Sequence, residues 1–195
     1  MSYKLVIVES PSKAKTIEKY LGKEYRVIAS KGHIMDLPKK DLGVNIDDDF
    51  KLDLIPIEGK EETIKMIKEL SQNATVIYLA TDPDREGEAI SLHIKDILPK
   101  DKKTYRVKFN AITKEEINKA IKNPKELDLL MCDSQKTRRV LDRLVGFKIS
   151  PILCNKIARG LSAGRVQSVA LRIIVEREDE IRKFVPEKSF EINLK

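Results

Sequence analysis

Thr75-Val76-Ile77-Tyr78-Leu79-Ala80-Thr81 runs without a break into Asp82-Pro83-Asp84-Arg85-Glu86-Gly87-Glu88. The first seven residues are β-branched, aliphatic or aromatic, the composition of a strand buried in a parallel sheet. Asp82 to Arg85 read as a turn, and the spacing then predicts a helix from Glu86 to Leu98. In open α/β sheets the carboxyl ends of strands form the ligand crevice, so acidic residues there are candidate site residues.

The same pattern recurs outward from this stretch. Tyr3 to Glu9 (YKLVIVE) is another short apolar strand. Ser10-Pro11 follows, an N-cap with proline at the first helical position, and the helix Ser12 to Leu21 is spaced through Ala14, Ile17 and Leu21. Gly22 stops it, and Tyr25 to Ser30 read as a strand. Residues 31–57 look irregular, with His33, Pro38, Gly43, Asp47-Asp48-Asp49 and Pro56. Helix returns from Lys60 to Gln72, and Tyr105 to Ile112 read as a further strand. Thr113 and Glu116 form a capping box for a helix from Lys114 to Lys122, ended by Asn123-Pro124. The alternation predicts an α/β, Rossmann-like domain with a mainly parallel sheet over residues 1–124.

After Pro124 the pattern becomes mostly α-helical, and residues 125–195 are expected to begin a second, incomplete domain. Leu127, Leu130, Met131, Leu141, Leu144 and Val145 mark a long helix ending near Gly146. Ser150-Pro151 starts a short one. Ser162-Ala163-Gly164 precedes a longer helix, with Val166, Val169, Ala170, Ile173 and Ile174 on its apolar side. Ser189 to Lys195 alternates like a strand with no obvious partner, so the chain is expected to be the front piece of something larger.

Composition narrows the function. Of 195 residues, 41% are hydrophobic and 35% charged, too apolar for a disordered chain. No apolar run approaches the ~20 residues that a membrane helix needs, so no membrane association is expected. Met1-Ser2-Tyr3-Lys4 has no signal-peptide character. Cys132 and Cys154 stand alone, which argues against disulfides and cysteine-type zinc sites and for a reducing cytoplasm. Both are read as small buried hydrophobes. Lysine and arginine exceed aspartate and glutamate by 38 to 31, a net charge of +7. Residues 132–177 hold ten basic and three acidic residues, so the whole excess lies there, mostly as arginine. Such a patch suits a polyanion, because guanidinium grips phosphate bidentately; a solvated helical face is the alternative.

Asp82, Asp84 and Glu86 alternate, so in an extended turn their side chains would point the same way. Clustered carboxylates repel unless a hard divalent cation such as Mg²⁺ neutralises them. A solvated acidic turn, with Glu86 and Glu88 favouring a helix N-terminus, remains the competing reading. Glu9 also ends an apolar strand, and Lys13 follows four residues later on the first turn of a helix. Glu9, Lys13, Asp82 and Asp84 together suit phosphoryl transfer, where positioning and charge neutralisation dominate.

These residues resemble a known family. Val8-Glu9-Ser10-Pro11-Ser12-Lys13-Ala14-Lys15-Thr16-Ile17 is similar to the N-terminal motif of bacterial type IA DNA topoisomerases, and Ser30-Lys31-Gly32-His33-Ile34-Met35-Asp36-Leu37-Pro38 to the segment that follows there. Asp82-Pro83-Asp84-Arg85-Glu86-Gly87-Glu88-Ala89-Ile90 resembles the D-x-D-x-E element of the Toprim domain. Gly160-Leu161-Ser162-Ala163-Gly164-Arg165-Val166-Gln167-Ser168 resembles a signature of the helical domain after it. The four motifs occur in the family's order and cover nearly the whole chain.

The resemblance implies a Toprim domain whose Glu9, Asp82, Asp84 and Glu86 bind Mg²⁺ and assist proton transfer to the 3′ oxygen of a cleaved strand. It implies that Lys13 holds the scissile phosphate. A tyrosine of a later domain would form a 5′-phosphotyrosine link, and strand passage and religation would relax negatively supercoiled DNA without ATP. The family's F-x-E-I-T motif reads Phe109-Asn110-Ala111-Ile112-Thr113 here, so the role of that glutamate is not carried over. The five tyrosines, Tyr3, Tyr20, Tyr25, Tyr78 and Tyr105, all lie in the Toprim region, and none has the context of the nucleophile. The chain alone is therefore expected not to cleave DNA. The expected setting is a monomer in the bacterial cytoplasm, associated with the nucleoid.

In the basic segment, Arg139 and Arg143 are i, i+4 on one face, and so are Arg138 and Asp142, which are spaced to pair. The helix opening at Ser162 to Gln167 offers free N–H groups to an anion, with Arg165 adding charge and Gly164 allowing close approach. The resemblance implies that this region, with His33, Arg138, Arg139, Asp142, Arg143, Ser162, Ala163, Gly164, Arg165, Val166 and Gln167, tracks single-stranded DNA to the cleavage site. A surface ion pair for Arg138, and mere capping for Ser162 and Gly164, are the alternatives. Arg85 is read as a phosphate contact, or else as a partner of the neighbouring carboxylates. His93 is read as a packing residue. Rival readings are another Toprim enzyme (a primase or nuclease), reverse gyrase, or a non-catalytic DNA-binding module. A dinucleotide fold is excluded, since no G-x-G-x-x-G follows the first strand.

Overall fold

The computed structural model describes residues 2–193. In chain order its elements begin with β1 (Tyr3–Val8), α1 (Pro11–Leu21) and β2 (Tyr25–Ala29), followed by four two-residue strands, β3 (Met35–Asp36), β4 (Val44–Asn45), β5 (Lys51–Leu52) and β6 (Ile55–Pro56). Then come α2 (Glu61–Asn73), β7 (Ala74–Leu79), α3 (Arg85–Ile97), β8 (Lys103–Arg106), α4 (Lys114–Lys122), α5 (Leu129–Lys156) and α6 (Arg165–Lys183).

Four strands form one parallel sheet in the order β2-β1-β7-β8. Its centre is β1, where Leu5, Val6, Ile7 and Val8 are all buried. The two-residue period of a strand divides these side chains between two faces. Val6 and Val8 pack with Ala14, Ile17 and Leu21 of α1 and with Ile117, Ala120 and Ile121 of α4. Leu5 and Ile7 pack on the other side with Ile77 and Leu79 of β7, Ile67 of α2, and Ile90 and Ile94 of α3. Each such aliphatic side chain contributes about 1.5–3 kcal/mol relative to exposure. The sheet is thus covered on both faces, as the α/β reading requires.

Local signals behave as their chemistry predicts. Ser10 caps α1 by accepting from the Lys13 N–H at 3.3 Å, and Gly22 ends it with φ 83°. Thr113 accepts from the Glu116 N–H at 3.3 Å at the start of α4. The expected irregular stretch 31–57 contains two short antiparallel ribbons, β3 with β6 and β4 with β5.

Three expectations are corrected. The strand predicted from Tyr105 to Ile112 stops at Arg106, because the backbone of Arg106 pairs antiparallel with Lys125 there (2.8 and 2.7 Å). The helix predicted to end near Gly146 continues as α5 through Gly146 and Pro151. An interior glycine costs about 1 kcal/mol, too little to end a helix whose flanking turns continue, and Pro151 removes one helical hydrogen bond without terminating the run. The strand predicted from Ser189 does not form over residues 189–193, which have no regular structure; Leu194 and Lys195 lie outside the described residues.

Packing divides the chain into two compact units, Met1–Val140 and Leu141–Lys195. In the second, no residue of α6 is buried, and Val166, Val169, Ile173 and Ile174 are exposed.

Candidate metal centre and nucleic-acid interface

β1 and β7 are neighbours in register, with Ile7 opposite Leu79, and the Ala80 N–H donates to the Ile7 carbonyl at 2.8 Å. Their carboxyl ends therefore emerge side by side. Glu9 leaves β1 there and Asp82 leaves β7. The N-terminus of α1 brings Lys13 into the same crevice, where its ammonium donates to Asp82 Oδ1. Partial burial pushes the Glu9 carboxyl above its ordinary range, and the negative charges of Asp82 and Asp84 push it further, against the opposing pull of Lys13. Glu9, Lys13, Asp82 and Asp84 thus share one electrostatic site.

The acidic run does not project as one row. The helix α3 begins at Arg85, so the extended geometry that would align alternate side chains ends at Asp84. Asp84 is the N-cap, its carboxylate accepting from the Gly87 N–H at 2.7 Å. Glu86 lies two residues further on, inside the first turn of α3, and its Oε2 is held by His33 Nε2 at 3.1 Å and by Gln135 Nε2 at 3.2 Å. Arg85 is exposed on the first turn of the same helix. Among the described residues, no three His, Cys, Asp or Glu side chains stand close enough to form a ready-made cage. The donor chemistry at Glu9, Asp82 and Asp84 nonetheless fits a hard cation, since all are carboxylates and their mutual repulsion already shows at Glu9. Glu86 is a further carboxylate on the first turn of α3, its Oε2 held by His33 and Gln135.

Several side chains that fasten the turn were not singled out by sequence reasoning. Gly87 packs against the Asp82 backbone so tightly that a Cβ would lie 2.0 Å from the Asp82 carbonyl oxygen. The Thr81 hydroxyl donates to the Gly87 carbonyl at 2.6 Å and lies 2.8 Å from Ser91 Oγ. Arg106 and Glu88 are completely buried and paired at 2.9 Å. The signal for this pair was Arg106 in the stretch predicted as a strand from Tyr105, since a charge buried there is too costly to persist unpaired.

The basic residues are anchored within their own units. In Met1–Val140, Arg139 pairs with Asp36, whose carboxyl stays below its ordinary range; burial opposes this, but the Arg139 and Leu37 N–H donors outweigh it. His33 and His93 rings lie 5.9 Å apart. In Leu141–Lys195, Arg165 donates to Asp142 at 3.0 Å, and the Arg143 guanidinium sits 4.2 Å from the Phe147 ring centroid. Arg138 and Asp142 make further interactions of their own. Ser150 Oγ accepts from the Ala163 N–H at 3.0 Å, the Ser162 hydroxyl donates to Gln167 Oε1 at 3.4 Å, and Gly164 is the N-cap of α6, followed by Arg165 and Val166.

A parallel sheet whose strand ends carry Glu9 and Asp82-x-Asp84 defines the class, and comparison with known families agrees. Residues 4–112 match the Toprim domain family and residues 126–195 match the DNA topoisomerase family. The chain belongs to the Toprim family. Among solved structures it is similar to full-length topoisomerase I from Thermotoga maritima in a monoclinic crystal form. The two are 45% identical with a TM-score of 0.80, over 94% of this chain and 31% of that one. The chain thus joins a Toprim region to a DNA topoisomerase region in that order, and it spans about a third of the length of the topoisomerase I it resembles. No helix among the described residues is long and apolar enough to cross a membrane.

Proposed function

We propose that this chain supplies the cation-binding and strand-guiding part of an enzyme that relaxes negatively supercoiled DNA. The reaction is transient single-strand cleavage through a 5′-phosphotyrosine link, strand passage and religation. The observation that carries the reading is the convergence of Glu9 and Asp82 at adjacent strand ends, with Lys13 on Asp82. Glu9, Asp82 and Asp84 would hold Mg²⁺, which when bound supplies charge neutralisation at a phosphoryl oxygen. Glu9, at the same strand ends, would assist proton transfer to the departing 3′ oxygen. Lys13 presents positive charge to the scissile phosphate. Glu86 would join Glu9, Asp82 and Asp84 through Oε1 while its Oε2 is held by His33 and Gln135.

The nucleophilic tyrosine belongs to a region outside this chain, so the chain alone binds DNA without cleaving it. No ATP is consumed, since the covalent link conserves the phosphodiester energy. Residues 1–124 form the Toprim domain and residues 125–195 begin the helical domain. A single-stranded region of DNA is held by His33, Arg138, Arg139, Arg143, Arg165 and the backbone from Ser162 to Gln167. Phosphate and sugar contacts dominate, and the enzyme works as a cytoplasmic monomer. The test uses the protein extended through its tyrosine-bearing region. Lys13→Ala is expected to lower cleavage by about 10²-fold or more while changing DNA affinity far less. Equal losses in cleavage and binding would overturn the assignment.

A further inference from the structure

A buried ion pair is an unexpected way to hold a turn together. Arg106 and Glu88 are both fully inaccessible, and well-packed apolar residues in their place are often neutral or stabilising. Stability alone therefore does not account for them, and the destinations of their hydrogen bonds are more informative. Arg106 Nη1 donates to the carbonyls of Thr81 (2.9 Å), Leu79 (3.0 Å) and Val107 (2.8 Å), and Nη2 donates to the carbonyl of Asp82 (2.7 Å). The Thr81 and Asp82 carbonyls lie beyond the end of β7, past the last strand pairing at Leu79, and among the described residues no neighbouring strand's N–H reaches them. The planar guanidinium fork reaches both, which the single ammonium of a lysine would not. Glu88 neutralises the fork through Oε1, which also takes Lys108 Nζ at 2.7 Å. Its Oε2 accepts from the Asp128 N–H at 3.2 Å, and Asp128 in turn caps the start of α5 through the Met131 N–H at 3.1 Å.

We propose that Arg106, neutralised by Glu88, is a positioning residue that clamps the main chain on both sides of the Asp82 Cα and so fixes the Asp82 carboxylate beside Glu9 for cation binding. This rests on the cation-binding reading above and adds a residue to it. Arg106 touches no reacting atom; it acts through the backbone that carries Asp82. Through Asp128, the same pair ties the acidic turn to the first turn of α5.

Two variants of this chain test the clamp. Arg106→Lys keeps the charge opposite Glu88 but loses the fork. Glu88→Met combined with Arg106→Met removes the buried charges and preserves volume, so it folds even where a single change would not. Mg²⁺ affinity is measured by calorimetry, and amide hydrogen exchange is measured without metal. The expected result is a loss of Mg²⁺ affinity of about tenfold or more, the scale of losing a residue that orients a metal ligand. Faster exchange confined to Thr81–Gly87 is expected beside it, with β1 and α1 still protected. Mg²⁺ affinity and exchange both within about twofold of wild type would overturn the proposal. Exchange that rises evenly across the sheet would also overturn it, by assigning Arg106 to general stability. If the wild-type chain binds no Mg²⁺, the cation reading fails by itself, and exchange at Thr81–Gly87 still decides whether the clamp exists.

Discussion

The sheet of Met1–Val140 and helix α6 of Leu141–Lys195 use apolar residues in opposite ways. In β1, four consecutive aliphatic side chains are buried between two layers of helix. In α6, an equally regular apolar pattern leaves Val169, Leu171, Ile173 and Ile174 half or more exposed. Periodicity thus identifies the face a segment can bury, while burial itself depends on what packs against that face. The difference also separates two sorts of site. Glu9 and Asp82 stand on ends of strands fixed by a closed core, whereas Arg165 and Asp142 meet on an exposed surface.

The contrast is broken most directly by paired truncations. Ile77→Ala, in the inaccessible centre of β7, is expected to cost about 2–5 kcal/mol in urea unfolding. A loss below 1 kcal/mol would mean the sheet is not the stabilising unit. Gly87→Ala comes next, at about 1–3 kcal/mol, because its methyl group would strike the Asp82 carbonyl. Wild-type stability in that variant would show that the turn packs more loosely than its geometry requires.

The pH dependence sharpens the comparison, since both histidines lie in the first unit. Burial, assisted by the charge of His33, holds His93 below its ordinary value of 6.5. The unfolded chain then takes up a proton at His93 before the folded chain does. This contribution to stability is fully present above about pH 6.5 and is lost as pH falls below it. Denaturation midpoints at pH 5.5 and 7.5 should therefore converge in His93→Gln relative to wild type; an unchanged difference would remove His93 from the account. The smallest effect is expected at Ile173→Ala, within about 0.5 kcal/mol, because the side chain is already exposed. A loss comparable to that at Ile77 would reveal a packed partner for α6.

Much of the candidate site was legible from local rules. Ser10-Pro11 announced α1, the TVIYLAT run announced β7, and both placed acidic residues at strand ends. The alignment of Glu86 with Asp82 and Asp84 was misread because period-two reasoning was extended across the point where helix begins. Gln135 and Asp36 were invisible as partners of Glu86 and Arg139, since 49 and 103 residues separate each pair in sequence. The local spacing that suggested Arg138 for Asp142 carried no hint of Arg165, 23 residues away.

Residue order by itself determined the alternation of strands and helices, the caps that begin them, the acidic strand ends and the basic character of residues 132–177. Those follow from side-chain periodicity and backbone chemistry over a few neighbouring positions. Only the tertiary structure decided that β1 lies beside β7, that Lys13 meets Asp82, and that Arg106 with Glu88 grips the turn between them. Such contacts depend on which strands become neighbours, and a buried charge must find its partner across that new interior rather than along the chain.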